Sequence, residues 1–320
     1  MKRIGVLTSG GDASGMNPAL RAVVRVAITN GLEVIGIERG YEGLLNRWLR
    51  PMNLSSVGGI INRGGTILRT ARSERFKTDQ GLQTASQVLH ENGIEGLVVI
   101  GGDGSFRGAA RLEEVSGIAV VGIPATIDND IGGTEYTLGY DTALQVAMDA
   151  IDKIRDTADS FERIFVIEVM GRSRGFIAAA VGLAGGAEAI LVPEIPFDPV
   201  QICEKLKQGM ARGKRSAIIV TAEGAAKAQE VATFVEMYLR EEVRATVLGY
   251  TQRGGSPTAT DRIMGARFGA LAVDLLLQRQ SGMMTAVQGG TVAAVPLSAS
   301  WEQPRVLDES LLKLNAVLAS

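Results

Sequence analysis

Short runs rich in valine, isoleucine and leucine alternate along this chain with longer stretches whose apolar residues recur every three to four positions. The short runs, closed by glycine or polar clusters, predict strands, and the wider spacing predicts helices. Strands are predicted over 3–8, 33–38, 96–100 and 119–123, with helices over 15–30 and from the 101–105 turn to 114. The stretch 141–159 sets Ala143, Ala147, Ala150, Ile151, Ile154 and Ala158 on one face, as an amphipathic helix does. Beyond it, strands over 164–169, 189–193, 217–222 and 245–248 alternate with helices over 176–184, 199–212 and 227–241. A long helix over 258–279, short strands over 285–288 and 291–295, and a helix over 311–318 complete the pattern.

This alternation predicts an α/β fold of doubly wound, mostly parallel sheets covered by helices. A chain of 320 residues exceeds what one small core needs, so two lobes are expected. No proline- or serine-rich linker divides them, so close packing is expected, with the inter-lobe cleft as the default site.

Composition narrows the classes of function. Hydrophobic residues make up 46% of the chain and charged residues 21%, as in an ordinary globular protein. A formal net charge of −2 gives no reason to expect nucleic acid or an anionic membrane as partner. No apolar run approaches the roughly 20 residues that span a bilayer. The basic-then-apolar start, Met1 to Leu7, is cut off by Gly10-Gly11-Asp12 too early for a signal peptide. A lone cysteine, Cys203, excludes an internal disulfide and fits a reducing cytoplasm. With only one histidine, His90, a protein-only zinc site or a catalytic Cys/His pair is not expected, and both residues are read as structural.

The 40 glycines change the picture, because many stand in pairs just past apolar runs, at 10–11, 64–65, 101–102, 132–133, 185–186 and 254–255. Glycine there allows close backbone approach to a ligand. Gly101-Gly102-Asp103-Gly104-Ser105 joins a strand to a helix, where free N–H groups and the helix dipole favour an anion. Asp103 would repel phosphate alone but suits a Mg²⁺ that bridges phosphate oxygens; the plain alternative is a strand–helix turn with Asp103 near the cap. The segment 124–130 sets Asp128 and Asp130 two residues apart past another strand. One could reach a metal and the other take a proton from an attacking hydroxyl; alone it could equally be a solvated turn. With 8–12, three polar loops are expected at the carboxyl edge of one sheet, the ligand edge of doubly wound folds. The echo between 8–12 and 100–104 suggests two jaws of one phosphate site. Arg72, Arg163, Arg172, Arg244 and Arg253 stand at loop-like places, and several arginine forks suit a sugar phosphate.

Taken in order, Thr8 to Asp12, Gly15-Met16-Asn17, Gly101 to Ser105, Thr126 to Asp130, Met170-Gly171-Arg172 and Gln252 to Pro257 resemble bacterial ATP-dependent 6-phosphofructokinases along essentially the whole chain. The resemblance implies transfer of the γ-phosphoryl of ATP to the 1-hydroxyl of fructose 6-phosphate, with Asp128 as base beside Thr126, and Arg172 and Gly11 near the transferring group. It implies ATP on Gly11, Tyr41, Arg72, Ser73, Gly102, Asp103, Gly104 and Ser105, and Mg²⁺ served by Asp103 and Asp130. The sugar phosphate would meet Thr126, Asp128, Asp130, Met170, Gly171, Arg172, Glu223, Tyr250 and Arg253, with Arg163 and Arg244 arriving from a neighbouring subunit of a homotetramer. The lobes implied are 1–139 plus 252–302 for ATP and 140–251 plus 303–320 for the sugar phosphate. An effector site would use Arg21, Arg25, Arg155, Glu188, Arg212 and Lys214.

Some positions depart from the family's pattern. Tyr250 stands for a usual His, which predicts weaker sugar-phosphate binding because Tyr cannot become cationic. Arg174 and Phe176 replace Cys and Asp without a physical account, and Ser14 and Ala125 replace Pro and Gly. Leu54 and Gly59 stand where effector-site Arg and Asp are common, so nucleotide and phosphoenolpyruvate control is expected to be weak or absent. Pyrophosphate users of the superfamily tend to carry Asp and Lys where Gly104 and Ala125 stand here, which favours ATP as donor. A pyrophosphate-dependent enzyme, an NAD or lipid kinase and a non-catalytic nucleotide or sugar-phosphate sensor are the alternatives.

Overall fold

The computed structural model describes residues 1–319. In chain order the elements are β1 (Arg3–Thr8), α1 (Met16–Thr29), β2 (Glu33–Ile37), α2 (Gly40–Leu45), β3 (Leu49–Met52), α3 (Asp79–Glu91), β4 (Gly96–Gly101), α4 (Asp103–Ser116) and β5 (Ala119–Pro124). They continue through α5 (Tyr140–Phe161), β6 (Ile164–Val169), α6 (Phe176–Ala184), β7 (Ala189–Leu191), α7 (Pro199–Ala211), β8 (Ala217–Ala222), α8 (Ala228–Leu239) and β9 (Val243–Val247). The last are α9 (Ala259–Leu277), β10 (Met283–Gln288), β11 (Thr291–Pro296), α10 (Ala299–Glu302) and α11 (Glu309–Leu318).

These residues form two compact units. Unit 1 is Met1–Thr142 with Arg253–Arg305; unit 2 is Ala143–Gln252 with the chain from Val306 onward. Unit 1 holds a seven-stranded sheet in the order β11-β10-β5-β4-β1-β2-β3. β1, β2, β4, β5 and β10 run parallel, while the edge strands β3 and β11 are antiparallel to their neighbours. β4 is buried at every residue, as its unbroken Gly-Leu-Val-Val-Ile-Gly requires of a strand covered on both faces. One face packs Leu7, Ile37, Leu97 and Val99 against Phe76, Leu89 and Phe106 from the helices. Each such side chain, once fully buried, contributes about 1.5–3 kcal/mol. On α9, a methyl group at Gly269 would press within 2.6 Å of the Ala19 carbonyl and Ala22 side chain of α1, so the bare backbone sets how closely these helices lie.

Unit 2 holds a four-stranded, wholly parallel sheet in the order β7-β8-β6-β9. Its core joins Ile164, Val166 and Ile219 of the strands to Leu206, Val231 and Val235 of α7 and α8. Cys203 lies buried in that core, and His90 sits exposed at the end of α3 with Nδ1 2.8 Å from the Ser86 carbonyl oxygen. Among the described residues no helix is long and apolar enough to cross a membrane.

Candidate active site

β5, β4 and β1 are consecutive neighbours and parallel, so the loops after them leave the same edge of the unit 1 sheet. The chain runs from β1 outward to β2 and β3, then returns to place β4 on the other side of β1. The strand order therefore reverses between β1 and β4, where doubly wound sheets hold ligands. Gly101 pairs with Pro124, which brings the 101–105 and 124–130 loops out side by side.

The first loop is shaped around its own backbone. Ser9 N–H donates to the Ile100 carbonyl at 2.9 Å, and the Thr70 hydroxyl donates to the Gly10 carbonyl at 2.7 Å. At Gly11 a methyl group would overlap the Arg253 guanidinium. That guanidinium donates to the Asp12 carbonyl at 3.1 Å and lies 3.6 Å from the Asp12 carboxylate. Arg253 thus belongs with Gly11 in unit 1, a pairing across more than half the chain.

The second loop opens α4 with Gly102 as its cap, which brings no side-chain acceptor. Ser105 and Phe106 N–H groups turn back to the Gly102 carbonyl, leaving the Asp103 and Gly104 amides at a helix start suited to an anion. A side chain at Gly104 would meet nothing within 4 Å. Asp103 accepts from Arg107 Nε at 3.1 Å through both oxygens. Arg72 is exposed. Ser73 instead donates to Glu42 and accepts from the Phe76 N–H at 3.2 Å, so its hydroxyl is committed inside the unit.

Tyr41 is 5% exposed, its ring stacked on Phe76 at 3.8 Å, and its hydroxyl donates to the Ser105 carbonyl at 2.6 Å. It supports the first turn of α4 from beneath, and burial pushes its phenol upward from the ordinary value. Tyr41→Phe is expected to lower the stability of unit 1 by about 1 kcal/mol, the net contribution of one buried hydrogen bond. A urea-midpoint shift at unchanged m-value would measure it, and an unshifted midpoint would refute it.

The third loop is clamped. Thr137 donates to the Thr126 carbonyl at 2.7 Å and lies 3.1 Å from Asn129 Oδ1, and Asp128 N–H donates to Thr126 Oγ1 at 3.2 Å. Arg305 reaches the Asn129 carbonyl at 3.3 Å. Asn129 takes a left-handed φ of 50°, which turns the chain so that Asp128, 3% exposed, and half-buried Asp130 flank it. Among the described residues no three His, Cys, Asp or Glu side chains gather as a metal cluster.

In unit 2, Met170, Gly171 and Arg172 follow β6, Glu223 follows β8, and Tyr250 lies beyond β9, all at the carboxyl edge. One Glu223 oxygen accepts from the Gly171 N–H at 3.2 Å and the Arg172 N–H at 2.8 Å, and Gln252 Oε1 accepts from the Met170 N–H at 2.9 Å. These contacts fix a bend in which Gly171 and Arg172 both have positive φ. Tyr250 is 83% exposed. Arg163 and Arg244 are not brought to this edge. Arg163 precedes β6 and Arg244 is the second residue of β9, opposite Phe165, and both pair with Glu242.

Of the expected effector residues, Arg155 donates to the Gly186 carbonyl at 3.1 Å, and Lys214 lies 3.6 Å from Glu188, which also accepts from the Ile218 N–H at 2.7 Å. Arg212 is exposed at the end of α7, and Arg21 and Arg25 stand on α1 of unit 1.

One residue escaped the sequence reading: Asp261 of α9, fully buried, whose carboxylate accepts from Tyr136, Gly139 and Thr142, the segment that follows the 124–130 loop. Thr258, capping Asp261 N–H at 3.3 Å, marks a helix start and gives no hint of that second use.

Two parallel α/β units, one with a phosphate-type cradle beside a carboxylate loop, define a protein built for phosphoryl chemistry. The sequence model described as Phosphofructokinase matches residues 3–276, and the chain belongs to that family. An ATP-dependent 6-phosphofructokinase of Thermus thermophilus is 54% identical over the whole of both chains, and one of Shouchella clausii 52% identical over the whole of both. The solved phosphofructokinase of Saccharomyces cerevisiae superimposes with a TM-score of 0.89 at 33% identity, covering 98% of this chain and 46% of that one.

Proposed function

We propose that the chain is an ATP-dependent 6-phosphofructokinase, transferring the γ-phosphoryl group of ATP to the 1-hydroxyl of fructose 6-phosphate to give fructose 1,6-bisphosphate and ADP, a step of glycolysis in the cytoplasm. The observation that carries this is the clamped 124–130 loop, holding Asp128 beside the uncapped start of α4 on neighbouring strands. Unit 1 holds ATP: the amides at Asp103 and Gly104 and the guanidinium of Arg72 neutralise phosphate charge, and Gly11 leaves the backbone open to it. Asp128 accepts the proton of the attacking hydroxyl, and Thr126 holds the loop in place. Glu223, Met170 and Arg172 of unit 2 receive the sugar.

Asp103 and Asp130 offer hard oxygen donors on adjacent loops, which fits Mg²⁺ held by one or two carboxylates with substrate phosphates completing its shell. When bound, the ion neutralises charge on the phosphates.

Arg163 and Arg244 lie at the amino end of β6 and β9, while Met170 lies past the carboxyl end of β6. Along the strand direction Arg163 stands roughly 23 Å from Met170 and Arg244, opposite Phe165, roughly 16 Å, too far for one sugar phosphate to touch both ends. This supports a homotetramer in which those arginines serve a neighbouring copy.

The open space at Gly104 favours a donor larger than pyrophosphate; Ala125, 2% exposed, adds no such room. A coupled assay with fructose 6-phosphate and Mg²⁺ is expected to give turnover with ATP and none with pyrophosphate. Turnover with pyrophosphate alone would reverse the donor assignment.

A further inference from the structure

The glycine pair 132–133 has no place in the nucleotide or sugar readings, yet it follows directly on the loop that carries Asp128. A methyl group at Gly132 would come within 2.0 Å of the Gln303 carbonyl oxygen and 2.5 Å of that of Ala299. The Gly132 N–H donates to the Ser300 carbonyl at 3.2 Å. Bare backbone is what lets α10 and the residue after it lie this close. Two residues past Gln303 stands Arg305, the last residue of unit 1 and half-buried, whose Nη1 donates to the Asn129 carbonyl at 3.3 Å.

Asn129 has to be held. It is 1% exposed with a left-handed φ of 50°, which asparagine tolerates better than most side chains but which persists only where the surroundings impose it. Asp128 and Asp130 on either side repel each other when both are ionised. The Thr137 hydroxyl lies 3.1 Å from Asn129 Oδ1, and the Tyr140 phenol is hydrogen-bonded to the same side chain. Burial pushes that phenol up to about 12, so it keeps its proton. Arg305 grips the backbone itself. Burial lowers its guanidinium from the ordinary value, against the pull of nearby Glu135. A charged donor still holds a carbonyl more firmly than a neutral one does.

We propose that Arg305 is a positioning residue for phosphoryl transfer: through the Asn129 carbonyl it fixes the turn that places Asp128 at the attacking hydroxyl. The inference rests on the reading of Asp128 as base. Arg305 touches no reacting atom and affects the rate by keeping the carboxylate within about 2.6–3.2 Å of the group whose proton it takes. A displacement of about 1 Å can cost a hundredfold in rate. Thr137 and Tyr140 remain as anchors, so a smaller loss is expected when Arg305 is removed.

Steady-state kinetics on Arg305→Met and Arg305→Lys, each alone and combined with Asp128→Asn, would test this. Methionine keeps a stem and removes the charge and every donor; lysine keeps the charge and a donor. Arg305→Met is expected to lower kcat about tenfold with KM for ATP and fructose 6-phosphate within about twofold of wild type. Arg305→Lys is expected to recover most of that loss. On the Asp128→Asn background no base remains to be placed, so Arg305→Met should change kcat by less than about twofold. A purely structural contact would not produce that non-additivity. Circular dichroism checks folding, and Arg305→Gln carries the same cycle if Arg305→Met does not fold. Equal losses in both backgrounds, a rise in KM in place of the fall in kcat, or wild-type kcat in the folded variant would each overturn the proposal. If Asp128→Asn itself keeps wild-type kcat, Asp128 is not the base and the proposal falls with it; failure of Arg305→Met alone leaves the reading of Asp128 standing.

Discussion

Asp128→Asn is expected to lower kcat for ATP-dependent phosphorylation of fructose 6-phosphate by roughly 10³-fold, with KM for both substrates changed little. Asparagine matches the shape of aspartate, and the loop has anchors that do not involve the carboxylate. Thr137 holds it at the Thr126 carbonyl and Asn129 side chain, and Arg305 at the Asn129 carbonyl. What the substitution removes is the capacity to take a proton. In-line phosphoryl transfer relies chiefly on positioning and charge neutralisation, so a residual rate remains that the base does not supply. Steady-state kinetics on the purified variant decide the point. A variant that keeps more than about a tenth of wild-type kcat would remove Asp128 from the role of base, and a parallel rise in KM would recast it as a binding residue.

The parts of this protein legible in its sequence are those where one local signal suffices. β1, β4 and β5 are apolar runs, ended by Thr8-Ser9, Gly101 and Pro124, and their loops carry aspartates that no turn requires. The amphipathic face of α5 was as plain. β3 was not legible: Leu49-Arg50-Pro51-Met52 carries an arginine and a proline, and exists because an antiparallel edge strand tolerates both. α3 carries only a weak signal, since Leu82, Ala85, Val88 and Leu89 form a narrow apolar stripe among polar residues. Strand limits slipped where side chains changed character, so β9 begins at Val243 and β10 at Met283, two residues before the apolar runs expected.

Within the site, the separation of partners set the limit. Gly11 and Arg253 fit each other in space, yet nothing near either announces the other. Ser73 and Tyr41, expected to touch the nucleotide, have hydroxyls directed at Glu42 and at the Ser105 carbonyl, which sequence spacing could not reveal. Arg163 and Arg244 read in the sequence as loop-like arginines suited to a sugar phosphate, yet Arg244 lies within β9, and the place of both at the amino end of unit 2's strands follows from register alone.

Asp261→Asn is expected to destabilise unit 1 by roughly 3 kcal/mol, although the exchange swaps a single oxygen for an amide nitrogen. Oδ1 accepts from the Gly139 N–H and the Tyr136 hydroxyl, each at 2.6 Å. Oδ2 accepts from the Thr142 N–H at 3.0 Å and from the Thr142 hydroxyl. Each oxygen therefore faces one backbone donor that cannot turn away. Whichever way the asparagine is set, its NH₂ meets an N–H, and two donors are stranded in a buried place. The Thr142 hydroxyl has no freedom to compensate, because it also accepts from the Thr258 N–H at 3.1 Å. The charge itself is costly to hold: burial outweighs these hydrogen bonds and raises the Asp261 carboxyl above its ordinary 3.8. Since the folded-state value is the higher one, wild type gains stability at low pH and loses that increment as pH rises from about 3.8 through the folded value. The gap between wild type and Asp261→Asn should accordingly be widest near pH 4 and narrow as pH rises, while remaining positive because the stranded donors do not titrate. Urea denaturation of both proteins across that range measures it. A gap that widens with pH would mean that the hydrogen bonds outweigh burial, and no gap at any pH would mean that the 136–142 segment finds other partners.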